Sequence, residues 1–191
     1  MSSIFSDPFF RRGSTLLGGE TIEVDDAGNP LAGTEIVGQV KAFQDQNPTG
    51  LGERHSNRLV YCVAARYKGS SALTSADAGK LFVFGATGVL TTFTDAATTT
   101  NAAAGKAVGV LDEYIPENVT VRQNDIVWLV VKGPTTVNQT AASIAQGTPV
   151  QVSSTGGSVI ASGSGAIVGQ KIGATSSAAA GVRVNLTSSH I

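Results

Sequence analysis

Cysteine occurs once in the 191 residues, at Cys62, which excludes an intrachain disulfide and any cysteine-based zinc site. Histidine occurs twice, at His55 and His190, far apart in the chain. Charged side chains make up 14% of the sequence, against roughly 25% in ordinary globular chains. The net charge of −1 leaves no electrostatic footprint for nucleic acid or for a membrane surface, and neither is expected as a partner. Long apolar runs are missing too. No window approaches the roughly 18 apolar residues of a membrane-spanning helix. Ser6, Asp7, Pro8, Arg11 and Arg12 break up the N-terminus, so it lacks the apolar core of a signal peptide. Synthesis in a cytoplasm is the expectation.

Clustered chemistry is equally scarce. Serines are everywhere, yet Gly-x-Ser-x-Gly occurs nowhere, and neither histidine has a neighbour that marks a nucleophile. Asp25-Asp26 and Asp112-Glu113 are adjacent pairs, which point to opposite faces of a strand and chelate poorly. A carboxylate pair for glycoside hydrolysis drawn from Asp112, Glu113, Glu117 and Asp125 lacks the aromatic platforms that sugar sites carry. Gly50-Leu-Gly-Glu-Arg-His-Ser56 has neither the lysine nor the spacing of a phosphate loop. These residues predict no catalysis, no cofactor and no metal.

What the sequence does hold is glycine, alanine, serine and threonine, the material of short strands and tight turns. Its longest run of bulky aliphatic and aromatic side chains without a polar atom other than the indole N–H is Ile126-Val-Trp-Leu-Val-Val131, bounded by Asp125 and by Gly133-Pro134. Length, β-branching and boundaries predict a buried strand. A strand apolar at every position needs cover on both faces, so Ile126, Trp128 and Val130 belong to a core or to an oligomer interface. Further strands are expected at Leu59–Tyr67, Ala107–Ile115, Gly147–Val152, Ser158–Ala161, Ala166–Ile172 and Val182–Leu186. A hairpin is expected where Leu81–Phe84 and Val89–Phe93 flank Gly85–Gly88. Gly109 marks a bulge or a close backbone approach. Thr74 or Ser75 caps a helical turn before Gly79. Thr136–Val137 reads as a weak separate strand and Ala141–Ala145 as a helical turn. The fold class is all-β, a small β-barrel or sandwich.

Residues 1–57 read as an extended N-terminal arm and residues 58–191 as the β domain. Pro8, Gly13, Gly18-Gly19, Gly28-Asn29-Pro30 and Asn47-Pro48 break every incipient element of the arm. Between them recur Phe5, Phe9, Phe10, Leu16, Leu17, Ile22 and Phe43. These are too sparse for a core and too frequent for a solvated tail. They suit a segment that lays each side chain into a partner's surface, with Arg11 and Arg12 adding charge pairs at the rim. Thr21-Ile-Glu-Val-Asp25 alternates like a short strand. Arg54, His55 and Arg58 form a basic cluster that reads first as a solvated loop.

Beyond Lys132 the sequence carries only Lys171 and Arg183 as charged side chains and no carboxylate. An uncharged surface of that extent, with the apolar Ile126–Val131 run, predicts a homo-oligomer, most readily a trimer.

The succession Ala107-Val-Gly-Val-Leu111, Trp128-Leu-Val-Val-Lys-Gly-Pro134, Gly147-Thr-Pro-Val-Gln-Val152, Ala166-Ile-Val-Gly-Gln170 and Ala180-Gly-Val-Arg-Val-Asn-Leu186 resembles the β-rich head proteins of tailed bacteriophages. These are known as capsid cement, decoration or stabilisation proteins. The resemblance covers residues 59–191 and transfers no individual functional residue. It implies a structural virion protein, made in the host cytoplasm and located on the capsid surface. Its partners would be the major capsid protein and other copies of itself, and it would bridge neighbouring capsid subunits. The alternative is a phage tail or fibre module that binds a host receptor or carbohydrate.

Overall fold

The computed structural model describes residues 37–44, 59–85, 92–96, 108–111, 120–140, 143–163, 166–172, 176–177 and 182–187. Twelve strands run through them: β1 (Val40–Gln44), β2 (Leu59–Tyr67), β3 (Leu81–Phe84), β4 (Thr92–Ala96), β5 (Val108–Leu111), β6 (Ile126–Val137), β7 (Ser143–Ile144), β8 (Pro149–Val152), β9 (Val159–Ala161), β10 (Ile167–Lys171), β11 (Ser176–Ser177) and β12 (Val182–Leu186). The only helical piece among the described residues is a 3₁₀ turn at Ser75–Asp77, capped by Thr74 as the sequence predicts. The fold is all-β.

Five strands close on themselves. β2 pairs in parallel with β4, β4 with β3, β3 with β5, β5 with β6, and β6 returns to β2. The lumen of this small barrel is filled by Val63, Ala65, Tyr67, Phe82, Phe84, Phe93, Leu111, Val127, Leu129 and Val131. Phe93 is the hub of the aromatic packing, with ring centroids 5.1 Å from Tyr67 and 5.3 Å from Phe82. The bridge between Leu73 and Val121 adds both side chains to this cluster. A second, open sheet runs from the end of β6 through β12, β10 and β8 to β9. Its inner side chains Val137, Val150, Val152, Val159, Val168, Val184 and Leu186 pack against the outer wall of the barrel at Cys62, Ala64, Leu81, Val83, Val110, Ile126, Trp128 and Val130.

This arrangement accounts for the unbroken apolar run. Val127, Leu129 and Val131 point into the lumen, while Ile126, Trp128 and Val130 point between barrel and second sheet. Both faces of β6 are covered within one chain, so the strand gives no argument for a subunit interface. Ile126, Trp128 and Val130 are core residues.

Gly133-Pro134 does not end the strand, contrary to the sequence expectation, and Thr136–Val137 is no separate element. The pairing of β2 with β6 shifts between Tyr61 and Cys62, so that Tyr61 faces Lys132 and Cys62 faces Val130. The extra residue reverses the alternation. Odd-numbered residues fill the lumen before it, and odd-numbered Thr135 and Val137 face the inter-sheet side after it, opposite Val184 and Val182. Gly133, at φ +102°, makes the turn from one sheet to the other. There β6 pairs only with β12, so Pro134 interrupts no second ladder.

Three more local readings resolve. At Gly109, paired with Phe82 without a register shift, the close approach wins over the bulge, since an added Cβ would lie 2.8 Å from Leu129 Cβ and 3.0 Å from Phe84 Cε2. The β3–β4 pair is antiparallel as expected, with Phe84 opposite Phe93; Val89, Leu90 and Thr91 of the expected second strand lie outside the described residues. The helical turn expected at Ala141–Ala145 is instead strand β7, paired with β11, because Ile144 inserts into the inter-sheet core.

Candidate functional surfaces

Of the arm residues singled out as partner anchors, Phe5, Phe9, Phe10, Arg11, Arg12, Leu16, Leu17 and Ile22 lie outside the described residues. Phe43 lies inside them, and its assignment changes. β1 pairs antiparallel with β2, from Val40 opposite Val63 to Gln44 opposite Leu59. Phe43 is 5% exposed and packs edge-on against Trp128, with centroids 5.5 Å apart and planes at 70°. It completes this domain's own core and is not a free anchor. Among the described residues the sheet therefore reaches back to Val40, ahead of the boundary drawn at residue 57. The sequence missed this because Pro and Gly on either side isolate a five-residue strand whose apolar content is small.

Lys41, on the same face of β1 as Phe43, places Nζ 5.4 Å from the centre of the Trp128 ring and so covers the rim of that contact. Lys132 does the same for Tyr61, at 5.5 Å. These two lysines mark where the core meets solvent. Spacing alone did not reveal them, since each depends on a strand far away in sequence.

The candidate catalytic groups do not assemble. His55, His190, Asp112, Glu113 and Glu117 lie outside the described residues. Asp125 is buried, and its carboxylate accepts a hydrogen bond from the Arg122 N–H at 2.8 Å. It closes the turn before β6, in which Asn124 adopts φ +73°. Arg66, fully buried, donates to the Asn124 carbonyl at 2.8 Å. Among the described residues no group of histidine, cysteine or carboxylate side chains is arranged to hold a metal. No helix among them is long and apolar enough to cross a membrane.

Two surfaces stand out instead. The outer face of the second sheet presents Thr136, Gln151, Ile160, Ile167, Gln170 and Asn185. Ile167 is 58% exposed. Beyond Lys132 the one charged side chain described is Lys171, and it is buried, with Nζ donating to the Ile172 carbonyl at 2.8 Å. The other surface lies at the barrel mouth. There Leu59, 53% exposed, and half-buried Tyr61 continue on β2 the face that Val63 carries into the lumen, and Val40, 42% exposed, and Ala42 lie beside them on β1.

No family model matches the chain, and no curated protein or solved structure does.

Proposed function

We propose that this protein is a structural component of a bacteriophage virion that binds the outer surface of the capsid and cements neighbouring capsid subunits. The observation that carries the reading is the outer face of the second sheet, broad and poor in charge, where register places a single charged residue, Arg183, opposite Thr136. A surface of Thr, Gln, Asn and Ile with one arginine can be desolvated against another protein with a single charge to pair, whereas burying many unpaired charges is costly. The stretches that resemble the cement proteins also fall on strands. They supply β5, β6, β8, β10 and β12, which line the barrel wall and build the second sheet.

The same face supports self-association, with a trimer matching the local three-fold axes of an icosahedral shell. Each copy then contacts several capsid subunits, and loss of one contact does not release it. A carbohydrate-binding tail module is the weaker reading. Phe43, Tyr67, Phe82, Phe84, Phe93 and Trp128 are all buried, which leaves Tyr61 as the one described ring with substantial access to solvent.

Cosedimentation with empty heads of the phage that encodes it tests the proposal, with light scattering to give the oligomeric state. Saturable binding in a fixed ratio to the capsid protein is expected, by a species three times the chain mass. Binding to tails or host envelopes with none to heads would select the alternative.

A further inference from the structure

The ten-stranded order ends at β9 on one side and β1 on the other. At β9 the outer edge is already engaged. Val159 bridges to Gln139, its N–H donates to the Asn138 carbonyl at 2.8 Å, and its carbonyl accepts from Thr140 N–H at 3.2 Å. β1 is different, because among the described residues it pairs with β2 alone. Ala64 N–H donates to the Gln39 carbonyl at 3.0 Å, and its own carbonyl accepts from Gly38 N–H at 2.7 Å, so the Gln39 carbonyl faces β2. Antiparallel alternation then bonds Lys41 to Cys62 and Phe43 to Val60, and turns the N–H and C=O groups of Val40, Ala42 and Gln44 away from β2.

The two faces of β1 specify what fits beside it. On one side Val40 and Ala42 lie next to exposed Leu59 and half-buried Tyr61. On the other lies Lys41. A complementary strand is apolar at alternate positions and acidic between them. Ile22-Glu-Val-Asp25, preceded by Thr21, has this pattern, and no other stretch outside the described residues alternates apolar and acidic side chains over four positions.

We propose that Thr21–Asp25 of the same chain docks as an added antiparallel strand on the outer edge of β1. Ile22 and Val24 extend the apolar face of Val40 and Ala42, while Glu23 and Asp25 flank Lys41. Residues 26–39 supply the return, with Gly28-Asn29-Pro30, Gly33 and Gly38, the last at φ +82°. A tether this short holds the segment at an effective concentration on the order of millimolar, above that of a second copy in solution. The added strand covers an otherwise open sheet edge. It stands independently of the capsid reading and leaves Phe5–Leu17 to reach a partner.

Hydrogen exchange on the full chain, together with paired cysteines, tests this. In the full chain the amides of Val40, Ala42 and Gln44 are expected to be protected. Val24→Pro, at a position whose N–H would bond β1, is expected to speed their exchange by roughly tenfold or more while leaving the amides of β6 unchanged. Oxidation of Ala42→Cys combined with Ile22→Cys or Val24→Cys is expected to give an intrachain disulfide, and Ala42→Cys with Thr21→Cys, on the opposite face, is not. Buried Cys62 lies across from Lys41 on the other face and does not compete. Unprotected amides in the full chain would overturn the proposal. A disulfide formed only between chains would overturn it as well, by assigning the edge to a second copy.

Discussion

Thr135 faces the inter-sheet core opposite Val184, and its hydroxyl finds no hydrogen-bond partner among the described residues. A buried hydroxyl without a partner forfeits its hydration with nothing in return. Thr135→Val keeps the shape and removes the polar atom, so it is expected to raise stability by about 1 kcal/mol, seen as a higher urea midpoint at unchanged slope. A lower midpoint would show that the hydroxyl is satisfied in solution. Asp77 is the opposite case. Burial raises its pKa, but the ion pair with Lys80, at 2.6 Å, and the bonds from the Thr74 backbone and hydroxyl lower it more, to a net position below 3.8. The folded pKa therefore lies below the unfolded one. Its contribution is complete above the unfolded value and disappears as pH falls through the folded value. Asp77→Asn is expected to cost roughly 0.5–1 kcal/mol near neutral pH. Denaturation curves of the two proteins should converge in the acid range below 3.8. A difference that persists there would assign the effect to something other than this charge.

At the scale of the element, β6 does most to couple the molecule, because it is a wall of the barrel and the first strand of the second sheet. Its joint is Gly133. A Cβ there would approach the Leu59 carbonyl oxygen to 2.6 Å, with φ at +102°. Gly133→Ala is expected to destabilise by at least about 1–3 kcal/mol. Because both sheets share the strand, fluorescence of Trp128, which sits between them, and far-ultraviolet dichroism should still report one coincident transition. Separate transitions would mean that barrel and sheet fold independently. How far this was legible in the sequence follows from the physics of each stretch. Ile126–Val131 announced a strand covered on both faces, since its β-branched residues, its six-residue length and its flanking turn signals favour a strand over a buried helix segment. The continuation through Gly133-Pro134 was not legible. The same two residues mark a strand end in most contexts, and only the partner β12 shows that the strand bends there. β7 was hidden for a related reason, as Ser143–Ile144 is too short for any period and gains its structure from Ser176–Ser177 and from burial of Ile144. Of the candidate site residues, the core assignment of Ile126, Trp128 and Val130 could be read from alternation. That of Phe43 could not, because its partner Trp128 lies more than eighty positions away.

For the whole molecule, the decisive question is where the self-sufficient fold begins. The sequence puts the start of the domain at residue 58, and a chain trimmed there loses β1 with it. Trp128 then loses both the edge-on contact of Phe43 and the cover of Lys41, and the outer edge of β2 from Leu59 to Val63 loses its ladder. Removing a buried phenylalanine alone costs about 3–5 kcal/mol. That is a large part of the roughly 5–15 kcal/mol by which native domains are stable. A chain starting at Val37 keeps all of these contacts. It also keeps the turn at Gly38, whose N–H donates to the Ala64 carbonyl at 2.7 Å. The expectation is that the Val37 start folds with a cooperative thermal transition, while the residue 58 start melts far lower or exposes Trp128, read as red-shifted fluorescence. Phe43→Ala in the full chain should reproduce most of the loss, which separates the side-chain plug from the strand ladder. If the residue 58 start proves as stable as the Val37 start, β1 is an accessory to the core and Phe43 returns to the arm.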